Sequence, residues 1–236
     1  MVFAAGLGTR MQPLTNDRPK ALVEVASRTL VDHMLDQLAG GWCEYCCGQY
    51  LSFAQKLVDH LQKRLNRPPE LIIVREDHLA EPLETEGGLV HALHHFPDGP
   101  IFTCNADAIW LEDTALSRLA NAYDPNEMDG LLLLAHMDES LGFHGKGDFF
   151  MDEAGRLTRR GDANSAPFAY AGVQITDSRL FQGRTPTKRS MNKDWFENWA
   201  PKGRLFGLVL EGPWLHVGDP KARDDAEAFL LKHGTL

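Results

Sequence analysis

The sequence predicts an α/β fold, a Rossmann-like, doubly wound mixed sheet, mainly parallel, with an antiparallel extension. Three observations carry this prediction. From Val2 to His136, short apolar runs alternate with amphipathic stretches of helical period, the pattern of a sheet with helices on both faces. After His136 the rhythm changes to closely spaced strand-like runs. Hydrophobic residues make up 43% of 236 residues, enough for one domain over 1–236 with a proper core.

The elements follow in order. Val2 to Ala5 is a short buried strand that runs into Gly6 and Gly8. Ser27 is placed to cap a helix whose apolar residues Leu30, Val31, Met34, Leu35 and Leu38 share one face, and Gly40-Gly41 stops it. Trp42 to Tyr50 is read as a strand, although it lacks branched aliphatic residues. Phe53, Leu57, Val58, Leu61 and Leu65 mark a helix ending before Pro68-Pro69. Leu71 to Val74 is a strand, Gly88 to His95 a helix, and Ile101 to Cys104 a strand. Leu116, Leu119 and Ala120 mark the next helix, and Leu131 to Ala135 the next strand. In the second part, Asp148 to Met151 and Leu157 to Arg160 flank Glu153-Ala154-Gly155, a hairpin signal. Phe168 to Ile175 and Leu205 to Leu210 are strands. Trp195, Phe196 and Trp199 suit a helix on the core, and Ala222 to Lys232 is a closing helix ended by Gly234.

Composition narrows the function. Twenty-four basic and 33 acidic residues leave a net charge of -9, against broad nucleic-acid binding. The longest apolar run, Leu131 to Ala135, is far too short to span a bilayer, and the N-terminal run is too short for a signal peptide. A cytoplasmic protein with no membrane partner is expected. Cys43, Cys46 and Cys47 cluster without a second Cys/His pair, so they read as reduced, packed thiols.

The stretch Ala4 to Leu22 combines two glycines with Arg10 and Lys20, a flexible turn followed by two cations. It is neither common phosphate loop. A dinucleotide fingerprint needs a glycine where Met11 stands, which disfavours a nicotinamide dehydrogenase, and no Gly-Lys-Ser/Thr follows.

The longer string Gly6-Leu7-Gly8-Thr9-Arg10, Pro13-Leu14-Thr15 and Pro19-Lys20 resembles the signature of sugar-1-phosphate nucleotidyltransferases. Glu81-Pro82-Leu83-Glu84-Thr85-Glu86-Gly87-Gly88 is similar to that family's base-contacting segment. Asn105-Ala106-Asp107 follows a strand as the family's metal-binding aspartate does. Gly145-Lys146-Gly147-Asp148-Phe149 and Ala171-Gly172-Val173 look like its sugar-side strands, and Trp214-Leu215-His216-Val217-Gly218 like its closing metal segment. The resemblance covers nearly the whole chain. Its Glu-Pro-Leu-Glu-Thr and Gly-x-Gly-Asp-Phe pieces are most similar to the bacterial N-acetylmuramate-1-phosphate uridylyltransferases of cell-wall recycling.

The resemblance implies transfer of a nucleotidyl group from a nucleoside triphosphate, UTP favoured, to a sugar 1-phosphate, with release of pyrophosphate. Two anions must meet in an acidic protein, so placed cations and Mg²⁺, or Mn²⁺, must neutralise them. Ala5, Gly6, Gly8 and Thr9 are expected to cradle phosphates and Arg10 to fork onto the departing ones. Lys20 is expected at the α-phosphate and Asp107 on the metal. Glu81, Glu84, Gly87 and Gly88 would face the nucleotide, and Asn105, Gly147, Asp148 and Gly172 the sugar. The nucleotide-binding part would cover 1–136 and the sugar-side part 137–236. Three positions depart from the family's pattern. Glu86 replaces a glycine and is expected to narrow the base pocket or repel phosphate. His216 stands for the second metal aspartate, and Asp219, at a usual threonine position, is either its substitute or the cap of the final helix. Guanylyl or thymidylyl transfer and a catalytically impaired nucleotide- or sugar-binding protein are the alternatives, and monomer and dimer both stay open.

Overall fold

The computed structural model describes residues 1–6, 8–40, 45–50, 54–64, 67–76, 78–79 and 81–233. Strand β1 (Val2–Phe3) leads through 3₁₀ turns at Thr9–Met11 and Lys20–Leu22 to a short hairpin, β2 (Glu24–Val25) and β3 (Arg28–Thr29). Then come α1 (Leu30–Leu38), β4 (Tyr45–Tyr50), α2 (Ala54–Gln62), β5 (Glu70–Arg75) and α3 (Glu84–Ala92). β6 (Pro100–Asn105), β7 (Ala108–Trp110), α4 (Ala115–Ala122) and β8 (Gly130–His136) complete the first part. The second part holds β9 (Ser140–Leu141), β10 (Phe149–Met151), β11 (Leu157–Arg159) and β12 (Phe168–Asp177). A π-helical turn (Asp194–Trp199), β13 (Leu205–Val209), β14 (Trp214–His216) and α5 (Pro220–His233) close the chain.

Nine strands form one mixed sheet in the order β11-β10-β12-β6-β1-β4-β5, with β8 paired to β12 and β13 to β8. The strands from β6 to β5 run parallel to one another, as β13 does to β8. β12 enters antiparallel against β6, β8 and β10, and β10 and β11 form the expected hairpin. The expectation of a mainly parallel sheet is therefore corrected. Antiparallel pairings equal parallel ones in the large sheet and outnumber them once the small sheets are included. The physical reason is β12, which pairs with both β6 and β8.

Both faces of the sheet are covered, because side chains alternate along each strand. Leu131, Leu133 and Ala135 of β8 point with Phe102 and Cys104 of β6 toward α1, α2 and α4. Leu132 and Leu134 of β8 point with Ile101 toward Leu89 of α3 and toward Trp195 and Trp199. Each fully buried leucine contributes about 1.5–3 kcal/mol. A third cluster joins Met11, Leu30, Ile109 and Leu215 to Ala226 and Leu230 of α5. It fixes the segment after the glycine loop against a three-stranded sheet, β7-β14-β9, which the sequence reading did not anticipate.

Other differences are local. The five apolar residues of α1 are buried as expected, but Thr29 caps the helix, accepting from the Asp32 N–H at 3.2 Å. Ser27 instead occupies the β2–β3 turn with φ 61°. α3 begins at Glu84, four residues before the expected start. β4 begins at Tyr45. Trp42, Cys43, Phe53, Leu65, Gly41 and Gly234, and the side chains of Cys46 and Cys47, lie outside what is described. No helix among the described residues is long and apolar enough to cross a membrane.

Candidate active site

The site lies at the carboxyl ends of β1 and β6, where ligands sit in open α/β sheets. Gly8, at φ 63°, is the residue that shapes the loop. A Cβ there would lie 3.0 Å from Thr15 Cγ2 and 3.1 Å from Lys20 Cβ. Thr15 Oγ1 donates to the Gly8 carbonyl at 2.8 Å, and Met11, fully buried, anchors the following turn.

Two cavities meet here. The first, about 380 Å³, is lined by Ala5, Gly6, Lys20, Glu84, Thr85, Asn105 and Asp107, with Ser190 at its edge. The second, about 440 Å³, is lined by Gly147, Asp148, Arg159, Gln174 and Trp195. Phe3, Thr85, Asn105 and Ser190 border both, so the two are contiguous.

Lys20 and Asp107 come together, Nζ to Oδ2 at 2.8 Å, across 87 residues of chain. Burial pushes the Asp107 carboxyl up, but the Lys20 ammonium and the nearby His216 outweigh it and hold it below the usual carboxylate range. His216 is beside Asp107 because β14 pairs antiparallel with β7, His216 opposite Ala108, and the Val217 N–H donates to the Asp107 carbonyl at 3.1 Å. Burial lowers the His216 imidazole's affinity for a proton, outweighing the pull of Asp107 and of the Gly142 carbonyl 3.4 Å from Nδ1. The ring is therefore neutral near neutral pH.

The remaining candidates divide. Thr9 and Arg10 are exposed and lie outside the first cavity's lining, although Arg10 is close enough to bear electrostatically on His216. Glu81 is not a cavity residue either: it forms an exposed ion pair with Lys188 at 2.7 Å. Gly87 packs against backbone, where an added Cβ would lie 2.0 Å from the Thr187 carbonyl oxygen. Gly88 is buried within α3. Gly172, φ 88°, sits at the irregularity in β12, and a Cβ there would lie 2.9 Å from Ala108 Cβ, so it permits a close approach to β7 and lines neither cavity. Asp219 caps α5, its Oδ1 accepting from the Ala222 N–H at 2.9 Å.

Glu86 corrects the sequence reading. It is buried and lines neither cavity. Its carboxylate pairs with Arg184 at 2.6 Å and with Arg189, and Arg184 also reaches the buried Asp194 at 2.6 Å. This cluster ties α3 to the segment carrying Ser190. Backbone bonds reinforce it, with the Glu86 and Gly87 N–H groups donating to the Arg189 carbonyl and the Met191 N–H to Thr85 Oγ1. The sequence reading missed Thr85, Ser190, Arg159 and Gln174. Thr85 stood inside the quoted segment, whereas the other three carry no local pattern.

Among the described residues no group of three or more His, Cys, Asp or Glu could hold a metal by itself. Asp107 with neutral His216 is the available donor set. It suits a divalent ion that takes its other ligands from phosphates and water.

Comparison with known proteins follows the same line. Residues 1–144 match the MobA-like NTP transferase domain family. The chain is 44% identical, over 98% of its length and 96% of the relative's, to the N-acetylmuramate alpha-1-phosphate uridylyltransferase of Caulobacter vibrioides. It is 26% identical to the mannose-1-phosphate guanylyltransferase catalytic subunit beta of Dictyostelium discoideum, over 94% of this chain and 61% of that one. Among solved structures, HddC from Yersinia pseudotuberculosis complexed with GMP-PN superposes with a TM-score of 0.76 over 97% of both chains at 18% identity. A UDP-glucose pyrophosphorylase complexed with UDP-glucose gives 0.75, over 98% of this chain and 97% of that one, at 16%. Both share the fold.

Proposed function

The chain belongs to the MobA-like NTP transferase domain family and is a sugar-1-phosphate nucleotidyltransferase, and from that premise we propose that it transfers the uridylyl group of UTP to N-acetylmuramate 1-phosphate. The observation that carries the reading is the Lys20–Asp107 pair in the first of two contiguous cavities, which we assign one to each substrate. The choice of base and sugar is supported by the 44% identity to the Caulobacter vibrioides enzyme.

In this reaction an oxygen of the sugar phosphate attacks the α-phosphorus of UTP. The new P–O bond forms as the bond to the β-phosphate breaks, and its electrons leave with pyrophosphate. The sugar phosphate is already ionised, so no protein base is needed. What the chain supplies is position and charge. The Gly6 and Gly8 backbone closes on the phosphates, and Lys20 meets the negative charge gathering on the α-phosphate. Arg10, exposed beside the loop, forks onto the departing phosphates. Glu84 and Thr85 line the nucleotide side, and Asn105, Gly147 and Asp148 the sugar side.

Asp107, with His216 beside it, would hold Mg²⁺, and Mn²⁺ suits the imidazole as well. Such an ion screens the phosphates from one another and polarises them. We place the reaction in the cytoplasm and in one domain, 1–136 serving the nucleotide and 137–236 the sugar.

The test is pyrophosphate release from UTP, GTP, CTP and dTTP, each paired with N-acetylmuramate, N-acetylglucosamine and mannose 1-phosphates. UTP with N-acetylmuramate 1-phosphate should give the highest kcat/KM. Guanylyl transfer to mannose 1-phosphate is the second reading, favoured by the Dictyostelium relative, and a higher kcat/KM for that pair would replace the first.

A further inference from the structure

The second cavity carries a cation with no ion-pair partner among the described residues. Arg159 and Arg160 both line it, but they are not equivalent. Arg160 is committed to the fold, with Nε donating to the Gly147 carbonyl at 3.0 Å and Nη1 to the Ala163 carbonyl at 2.8 Å. The Arg159 side chain, which is exposed, makes no hydrogen bond or ion pair among the described residues. Its guanidinium lies over the Phe196 ring, 4.4 Å from the centroid. That contact fixes the plane of the fork and leaves its N–H edge for a ligand. The cavity's one carboxylate, Asp148, accepts from the Tyr170 N–H at 3.0 Å and forms no salt bridge with Arg159.

A second observation marks this cavity as built for a polar ligand. Gln174 lines it and is fully buried. Its Oε1 accepts from the Trp195 indole N–H at 2.7 Å. Indole is a donor only, so this bond fixes which way the amide points. The Gln174 amide nitrogen is then a buried donor with no partner among the described residues. Leaving a buried donor so is costly unless a ligand oxygen meets it.

We propose that Arg159 is the specificity-determining residue for the acceptor sugar, pairing with a carboxylate carried on the sugar ring. The inference rests on the function proposed above. N-acetylmuramate differs from N-acetylglucosamine by an ether-linked lactate, whose carboxylate is the anion the fork awaits. A planar fork accepts a carboxylate in two parallel hydrogen bonds, and the stacked ring holds it ready. Asp148 on the same wall is suited to sugar hydroxyls. In a protein of net charge -9, an uncommitted arginine in a cavity draws a second anionic group of the sugar in addition to its phosphate.

The experiment compares kcat/KM for N-acetylmuramate 1-phosphate and N-acetylglucosamine 1-phosphate, with UTP saturating, in the parent, Arg159→Gln and Arg159→Lys. Melting temperatures check that the variants are folded. The parent should favour the carboxylated sugar. Arg159→Gln should lower that ratio about 10- to 100-fold, through KM for the carboxylated sugar. Arg159→Lys, which keeps the charge but not the fork, should recover part of it. A preference that survives Arg159→Gln overturns the assignment of Arg159 and leaves the proposed function standing. A parent that prefers the neutral sugar overturns the proposed function, and the assignment with it.

Discussion

Removing Arg184 should cost far more stability than removing the charge on Glu86, although the two are hydrogen-bonded partners. The Glu86 and Asp194 side chains are 4% and 0% exposed, while those of Arg184 and Arg189 are 30% and 29% exposed. Two acids and two arginines balance. Arg184→Met leaves two buried carboxylates facing one arginine. Breaking a buried pair by removing one partner costs about 3–5 kcal/mol. Arg189 still reaches both acids, so about 3 kcal/mol is expected, or roughly 6–12 °C in melting temperature for a chain of this size. Glu86→Gln goes the other way. Burial, with Asp194 beside it, raises the Glu86 carboxyl above its usual range against the pull of the two arginines. A carboxyl raised in the folded state contributes its stability below its unfolded pKa, about 4.3, and loses it as pH rises through the folded value. Glutamine stays neutral throughout. At neutral pH the variant should therefore match or exceed the parent, and the difference should vanish in acid. Nucleotide preference should not move, since Glu86 lines neither cavity. Thermal unfolding by circular dichroism between about pH 4 and about pH 8 tests this. Glu86→Gln lowering the neutral-pH melting temperature as much as Arg184→Met does would refute the reasoning.

Lys20→Ala should lower kcat by about 10²–10³ with folding intact, as expected for loss of one preorganised donor, measured by steady-state pyrophosphate release at saturating metal. Asp107→Ala should abolish turnover, whereas Asp219→Ala should cost about 1 kcal/mol of stability, the worth of a helix cap, with little loss of rate; kinetics and melting of the two variants separate these outcomes. His216→Asp should lower the Mg²⁺ concentration for half-maximal rate, because it adds a hard oxygen beside Asp107, and a metal titration reads it directly. Asp32 ties α1 to α2 through His60 and to the turn after it through Arg64, and although burial pushes its carboxyl up, these partners and Thr29 bring it down to about 2. Asp32→Asn should cost about 2 kcal/mol near neutral pH, a loss present above the unfolded carboxyl value and disappearing as pH falls through about 2, as urea unfolding at stepped pH would show.

Much of the fold was legible because its cause is local. The apolar spacing from Leu30 to Leu38 states which face of α1 is buried, and the unbroken apolar run from Leu131 to Ala135 fits a strand covered on both sides. The pairing of β12 was not legible. The antiparallel extension was expected, and the run from Phe168 to Ile175 specifies a buried strand, yet nothing in it says that it meets both β6 and β8. The same limit applied to Glu86. Its partners Arg184 and Arg189 lie 98 and 103 residues away, so the sequence showed a charge beside two glycines and not the ion cluster that neutralises it. Arg159 is the converse case, a side chain with no ion pair among the described residues, which no local pattern announces.

The pairing of Asp107 with His216 depends on a single register. β7 and β14 are three residues each, joined as Trp214 to Trp110, Leu215 to Ile109 and His216 to Ala108. A slip of one residue would turn His216 to the opposite face and carry Trp214 out of the core. The buried indoles of Trp110 and Trp214, 1% and 2% exposed, make that slip costly, and the cluster beneath α5 holds Ile109 and Leu215 on the other face. The imidazole therefore stays beside the carboxylate for reasons of packing, before any substrate or ion enters. The same register gives Asp219 a different task. Val217 and Gly218 carry the chain past the ladder, and Asp219 arrives at the first turn of α5, where its carboxylate meets the Ala222 N–H. A carboxylate held there by a helix N-terminus is already neutralised in part.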